Sequence, residues 1–64
     1  MKLNSKVINI ELARRCVSAS FFMKYGIAQQ TITRAMNGAD ITPRTVGKFA
    51  KALDVDVTEI IAEE

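Results

Sequence analysis

Gln29 and Gln30 stand side by side in the stretch YGIAQQTITRAMNG, residues 25–38. Each carries an amide with one acceptor oxygen and two donor hydrogens. Such an amide can meet a base edge with two bonds, donor and acceptor together, and the N6/N7 edge of adenine fits it. Thr33 and Arg34 lie one helical turn on and face the same way, within reach of a thymine methyl or a guanine edge. Gly26 precedes a turn of two or three residues, and Asn37-Gly38 closes the stretch that follows. That punctuation predicts two short helices joined by a tight turn, the second opening with the glutamines. This is the helix-turn-helix arrangement, whose second helix lies in the DNA major groove. The residues point to the reading of base edges.

Other chemistries are poorly provided for. The chain has no histidine and one cysteine, so Cys16 has no intrachain disulfide partner and no His/Cys metal set exists. Nucleophilic catalysis needs an activating base beside the nucleophile, in a pocket. Cys16 has only Arg14 and Arg15 near it in sequence, and a free cysteine near a helix end is expected to be a small core residue. The carboxylates gather at the acidic end without an evident cleft. No enzymatic activity, metal or cofactor is expected.

At 64 residues there is room for one domain (1–64) with one small core, near the lower limit of independent stability. The N-terminal MKLNSKVINI lacks the apolar stretch and cleavage site of a secretory signal, and no run approaches the ~20 apolar residues of a membrane span. With an odd thiol, this predicts a soluble chain in a reducing bacterial or phage-host cytoplasm. The net charge of +2 hides an asymmetry: residues 1–53 hold all nine Lys and Arg against Glu11 and Asp40, whereas residues 54–64 hold five acids and no base. A basic body with an acidic end suits a polyanionic partner on one side.

Nothing alternates with period two, so strands are not expected. Five helices fit the punctuation. The first spans about Ser5 to Arg15, its inner face ambiguous among Val7, Ile8, Ile10 and Leu12. The second starts near Ser18 as N-cap, carries Phe21, Phe22 and Tyr25, and stops at Gly26, which takes a left-handed conformation without steric cost. The third covers about Ala28 to Asn37, with Ile32, Ala35 and Met36 turned inward. The fourth begins at Thr42-Pro43, a cap followed by proline at the first helical position, and carries Val46, Phe49, Ala50 and Leu53 as its inner stripe. The fifth opens at Asp56, with Glu59 three residues on as an aspartate capping box and Ile60 and Ile61 as its apolar side. The expected class is all-α, a compact five-helix domain.

With these residues placed, the chain resembles the helix-turn-helix domains of the Cro/CI (XRE) family, and among them those of lambdoid phage repressors. The likeness runs from about Ser18 to Ile61 without a gap. It is carried by Gly26 and Ile27 in the turn, Ile32 within the second helix, Asn37-Gly38 after it, Pro43-Arg44, and the ending Ala50, Leu53, Val55, Ile60. There are departures. Phe21-Phe22 stands where the family has Leu-Ala, and Ala28 where it has a Ser/Thr cap. Asp54 replaces a glycine, and Met36 replaces a Glu that pairs with an Arg of the first helix, a position Glu11 fills here. Apolar contact by Met36 is expected in place of that pair.

The resemblance implies that Gln29 and Gln30 read bases, joined by Thr33 and Arg34, and that Ser18, Asn37, Thr42 and Arg44 contact the DNA backbone, Arg44 with access to the minor groove. It implies a regulator of the repressor or Cro kind on a palindromic operator in double-stranded DNA. It also implies a homodimer, with contacts around Val55, Val57 and Ile61. Two other classes stay open on sequence alone. One is a protein-binding adapter on the same scaffold, for which Phe21-Phe22 would be an exposed apolar patch. The other is the antitoxin of a toxin–antitoxin pair, although little chain remains for a toxin-neutralising segment.

Overall fold

Thr42 and Pro43 start the best-defined element. In the computed structural model, which describes residues 1–62, the Thr45 N–H donates to Thr42 Oγ1 at 3.3 Å. Helix α3 then runs Pro43–Leu53, burying Val46, Phe49, Ala50 and Leu53 as the stripe requires, with Ala52 added. Helix α1 (Ser5–Arg14) is capped by Asn4, whose Oδ1 accepts from the Val7 N–H. It resolves the ambiguous face by burying Ile8 and Leu12, while Ile10 is left 45% exposed. Helix α2 is Gln29–Met36, with Ala28 and Asn37 as its flanking caps instead of its ends. Ile32 and Ala35 are buried, and Met36 packs partly against the core. All-α is thus the class, with no strand among the described residues.

The expected five α-helices are three. The segment Ala19–Tyr25 is wound as a 3₁₀ helix, and the fifth element is one 3₁₀ turn, Val57–Glu59. Phe22 explains the first change. It is fully buried with its ring 4.6 Å, edge to face, from Phe49, at a position where the family has alanine. A 3₁₀ helix is thinner than an α-helix and rises ≈ 2.0 Å per residue, which gives the larger ring radial room. Phe21 is half-buried, with its ring 5.2 Å from that of Tyr25 and tilted 56° to it. The Phe21-Phe22 pair is therefore core and core edge, not the exposed patch that an adapter would need. Ser18 has cap geometry but no side-chain cap bond, because its hydroxyl pairs with Ser20 Oγ at 2.7 Å. Asp56 and Glu59 do form the expected capping box.

All three α-helices end the same way. After each, a residue takes the left-handed conformation, and its own N–H and that of the residue after it fold back onto carbonyls of the last turn. In α1 the left-handed residue is Cys16 (φ 55), with Cys16 N–H to Ala13 O and Val17 N–H to Leu12 O. In α2 it is Gly38, with bonds to Ala35 and Arg34. In α3 it is Asp54 (φ 58), with bonds to Lys51 and Ala50. Cys16 is exposed at this corner, which corrects its expected place in the core. A non-glycine residue in this conformation costs roughly 1–2 kcal/mol, part of which glycine returns through its freer unfolded chain. Asp54→Gly should therefore raise stability by about 0.5–1 kcal/mol. A urea melt placing it at or below wild type would show that the Asp54 corner is unstrained.

The N-terminal residues tie the ends of the fold together. Leu3 is buried and bridges Ile61 in antiparallel register. The Asn4 N–H donates to Ile60 O and the Ala62 N–H to Lys2 O, both at 2.8 Å. On the other side the Ile41 N–H donates to Met1 O at 2.7 Å. A further tie runs through Arg15, whose guanidinium donates to Glu11 Oε1 at 2.8 Å and to the Leu53 carbonyl at the end of α3. Glu11 thus pairs within its own helix, and the hydrogen bond from Arg15 holds its carboxyl below the ordinary glutamate value. Glu63 and Glu64, part of the expected acidic end, lie outside the described residues.

Candidate nucleic-acid interface

Gly26 makes the corner that sets α2 apart from the preceding segment. Its φ of 80° is left-handed, and its N–H closes on Met23 O at 3.2 Å. A Cβ built there would meet nothing within 4 Å, so backbone conformation, not space, calls for glycine. Ile27 then plunges into the core, and extended Ala28 launches the helix with the Ile32 N–H on its carbonyl. Ala28 has no side-chain acceptor, so it leaves the first-turn N–H groups of α2 without a side-chain cap. Such groups, with the helix dipole behind them, favour an approaching anion.

Burial of Ile32 and Ala35 fixes which face of α2 looks outward. Gln29, Gln30, Thr33 and Arg34 are all exposed, spaced i, i+1, i+4 and i+5 on the side away from those two core residues. The Gln29 amide is held locally, its Nε2 donating to Thr33 Oγ1 at 3.4 Å. Of the residues the resemblance assigns to backbone contact, Asn37, Thr42 and Arg44 are exposed along the path from the end of α2 to the start of α3. Ser18 is exposed at the start of the 3₁₀ helix. Val55, Val57 and Ile61 are half-buried at the far end of the chain, packed against the core by one side.

Two clefts flank the exposed face. One, of about 390 Å³, is lined by Thr31, Arg34, Asp40, Ile41, Thr42 and Thr45. The other, of about 170 Å³, runs from Gly26 to Ala28 and past Thr31 and Thr45 to Lys48. Thr31 and Thr45 belong to both, and sequence reasoning passed over them. They face the gap between α2 and α3, two helices brought side by side by the 3₁₀ segment on which both pack, an arrangement no local pattern encodes. Lys48, to which the resemblance assigns no contact, stands on a cleft wall. Asp40 is the one acid lining either cleft. Its Oδ1 accepts from the Met1 ammonium at 2.5 Å, and that bond holds the carboxyl below its ordinary value. The ammonium offsets a negative charge that would otherwise face the same side as Arg34.

A model of the helix-turn-helix family matches residues 19–60, about two thirds of the chain. The chain belongs to that family, as a domain of the Cro/CI (XRE) type, and this makes it a DNA-binding regulator of that type. No curated protein and no solved structure matches it. Among the described residues no helix is long and apolar enough to cross a membrane.

Proposed function

We propose that the chain is a phage-type repressor or Cro-like regulator that binds a palindromic operator as a homodimer, in the cytoplasm and without catalysis. One observation carries this reading. Gln29, Gln30, Thr33 and Arg34 are exposed on one face of α2 while Ile32 and Ala35 anchor its other side. A short helix so mounted can enter a major groove, with two copies serving half-sites about one helical turn (~34 Å) apart. Gln29 and Gln30 meet adenine edges, Thr33 offers its methyl to thymine and Arg34 reaches guanine. Ser18, Asn37, Thr42 and Arg44 hold the phosphate backbone, which supplies register and most of the affinity. Val55, Val57 and Ile61 form the dimer contact, a use supported by their half-exposed apolar surface at the acidic end of the chain.

Selection of bound duplexes from a random pool, followed by a salt titration of the winner, tests the whole reading. The expected result is an inverted repeat whose affinity falls steeply and linearly in log–log form as salt rises, by about 0.9 per phosphate contacted. A pool that yields no preferred sequence, together with no binding to any duplex at low salt, would sink it in favour of an adapter. A selected site without two-fold symmetry would remove the dimer while leaving the groove-binding helix.

A further inference from the structure

The two neighbouring glutamines are not held alike. Gln29 Nε2 donates to Thr33 Oγ1, one turn along the same face. Gln30, one position on, makes no such bond among the described residues, and its own i+4 neighbour is Arg34, which has donors and no acceptor. Arg34 cannot take an amide hydrogen from Gln30 as Thr33 does from Gln29. The chain thus sets one constrained amide and one unconstrained amide side by side at the start of α2.

A glutamine amide can turn over and present its donor and acceptor in either order. In the structure one Nε2 hydrogen goes to Thr33 Oγ1, which sets one order for Gln29; the other order would need the Thr33 hydroxyl to donate to Oε1 in its place. The second Nε2 hydrogen and Oε1 remain, side by side, as one donor and one acceptor. That pair matches adenine N7 and N6–H₂. We propose that Thr33 is a positioning residue, which favours one order of the Gln29 amide so that its base is read as adenine more stringently than the base facing Gln30. The inference rests on the major-groove reading of α2 given above. The Thr33 methyl stays free for a thymine, so hydroxyl and methyl have separate duties that substitution can separate.

Thr33→Val keeps a β-branched side chain of near-equal helix propensity and removes only the hydroxyl, whereas Thr33→Ser keeps the hydroxyl and removes the methyl. In random-pool selections, Thr33→Val should lower the adenine preference at one base position about two- to tenfold, the gain that ordering a single flexible side chain supplies. Thr33→Ser should restore it. The affected position should be the one that Gln29→Ala flattens, and the double variant should be no flatter there than Gln29→Ala alone. In the free protein, ¹⁵N relaxation of side-chain amides should show Gln29 more ordered than Gln30 in wild type and equal to it in Thr33→Val. A Thr33→Val effect confined to another base position, additive with Gln29→Ala, or absent would overturn the proposal, as would equal mobility of the two amides in wild type. If wild type selects no sequence, the groove reading itself fails and the adenine assignment with it. The relaxation measurement uses no DNA and judges the Thr33 tether separately.

Discussion

Phe49→Ala should leave this chain without a cooperative fold at 25 °C. Phe49 is fully buried, edge-on to Phe22, and lies on the inner stripe of α3 between Val46 and Leu53. Truncating such a ring costs about 3–5 kcal/mol, through lost transfer energy and the cavity left behind. Stability of roughly 0.05–0.15 kcal/mol per residue gives a chain of this length only about 3–10 kcal/mol to lose. The loss also falls at the worst place. Phe22 holds the 3₁₀ segment that leads into the turn, and its principal aromatic partner would be gone. Far-UV circular dichroism of Phe49→Ala should show most helicity lost and a urea melt without a sharp transition. Phe49→Leu, which fills much of the same volume, should keep a cooperative melt. A Phe49→Ala variant melting within about 1 kcal/mol of wild type would mean that the Phe22–Phe49 pair is not the keystone of the core.

Why α3 was readable and its neighbours less so comes down to where the deciding contacts lie in sequence. Thr42, Pro43 and the stripe Val46, Phe49, Ala50, Leu53 are all local signals, and the helix begins and packs as they dictate. In α1, Val7, Ile8, Ile10 and Leu12 satisfy several helical faces equally. The choice of Ile8 and Leu12 is made by the rest of the core cluster, which reaches to Leu53 and Ile60. The 3₁₀ winding of Ala19–Tyr25 depends on Phe22 meeting Phe49, a partner 27 positions on. The docking of residues 1–4 between Ile41 and Ile60–Ala62 is more remote still and leaves no periodic trace. Cys16 hides because left-handed corners are announced by glycine and this one is filled without it, whereas the Asp54 corner is legible only through the glycine that the family has there. The outward face of α2 was legible for the opposite reason: Ile32 and Ala35 point one way, so Gln29, Gln30, Thr33 and Arg34 must point the other. The clefts beside that face were not, because Thr31 and Thr45 come together only once α2 and α3 have both packed on the 3₁₀ segment.

Replacing both Gln29 and Gln30 by alanine should abolish preference for the selected operator while sparing affinity for random duplex. Each well-made two-bond contact discriminates by roughly 1–3 kcal/mol, so losing both should reduce the ratio of operator to random binding by one to several orders of magnitude. The fold gives no reason for a general loss. Both side chains are exposed, neither is a cap, and alanine is the better helix former. Their amides are neutral, so the count of phosphates neutralised, and with it the slope of affinity against salt, should not change. Arg44→Ala makes the natural contrast. A backbone contact carries no sequence information, so its removal should weaken operator and random duplex alike and flatten the salt slope by about one. The two variants, measured by competition at one fixed salt and then across a salt series, separate what selects from what holds. If the glutamine double variant instead lost random and operator binding equally, the amides would belong to the backbone or to the packing of α2, and the sequence-reading face would have to be sought around Thr31, Thr45 and Lys48.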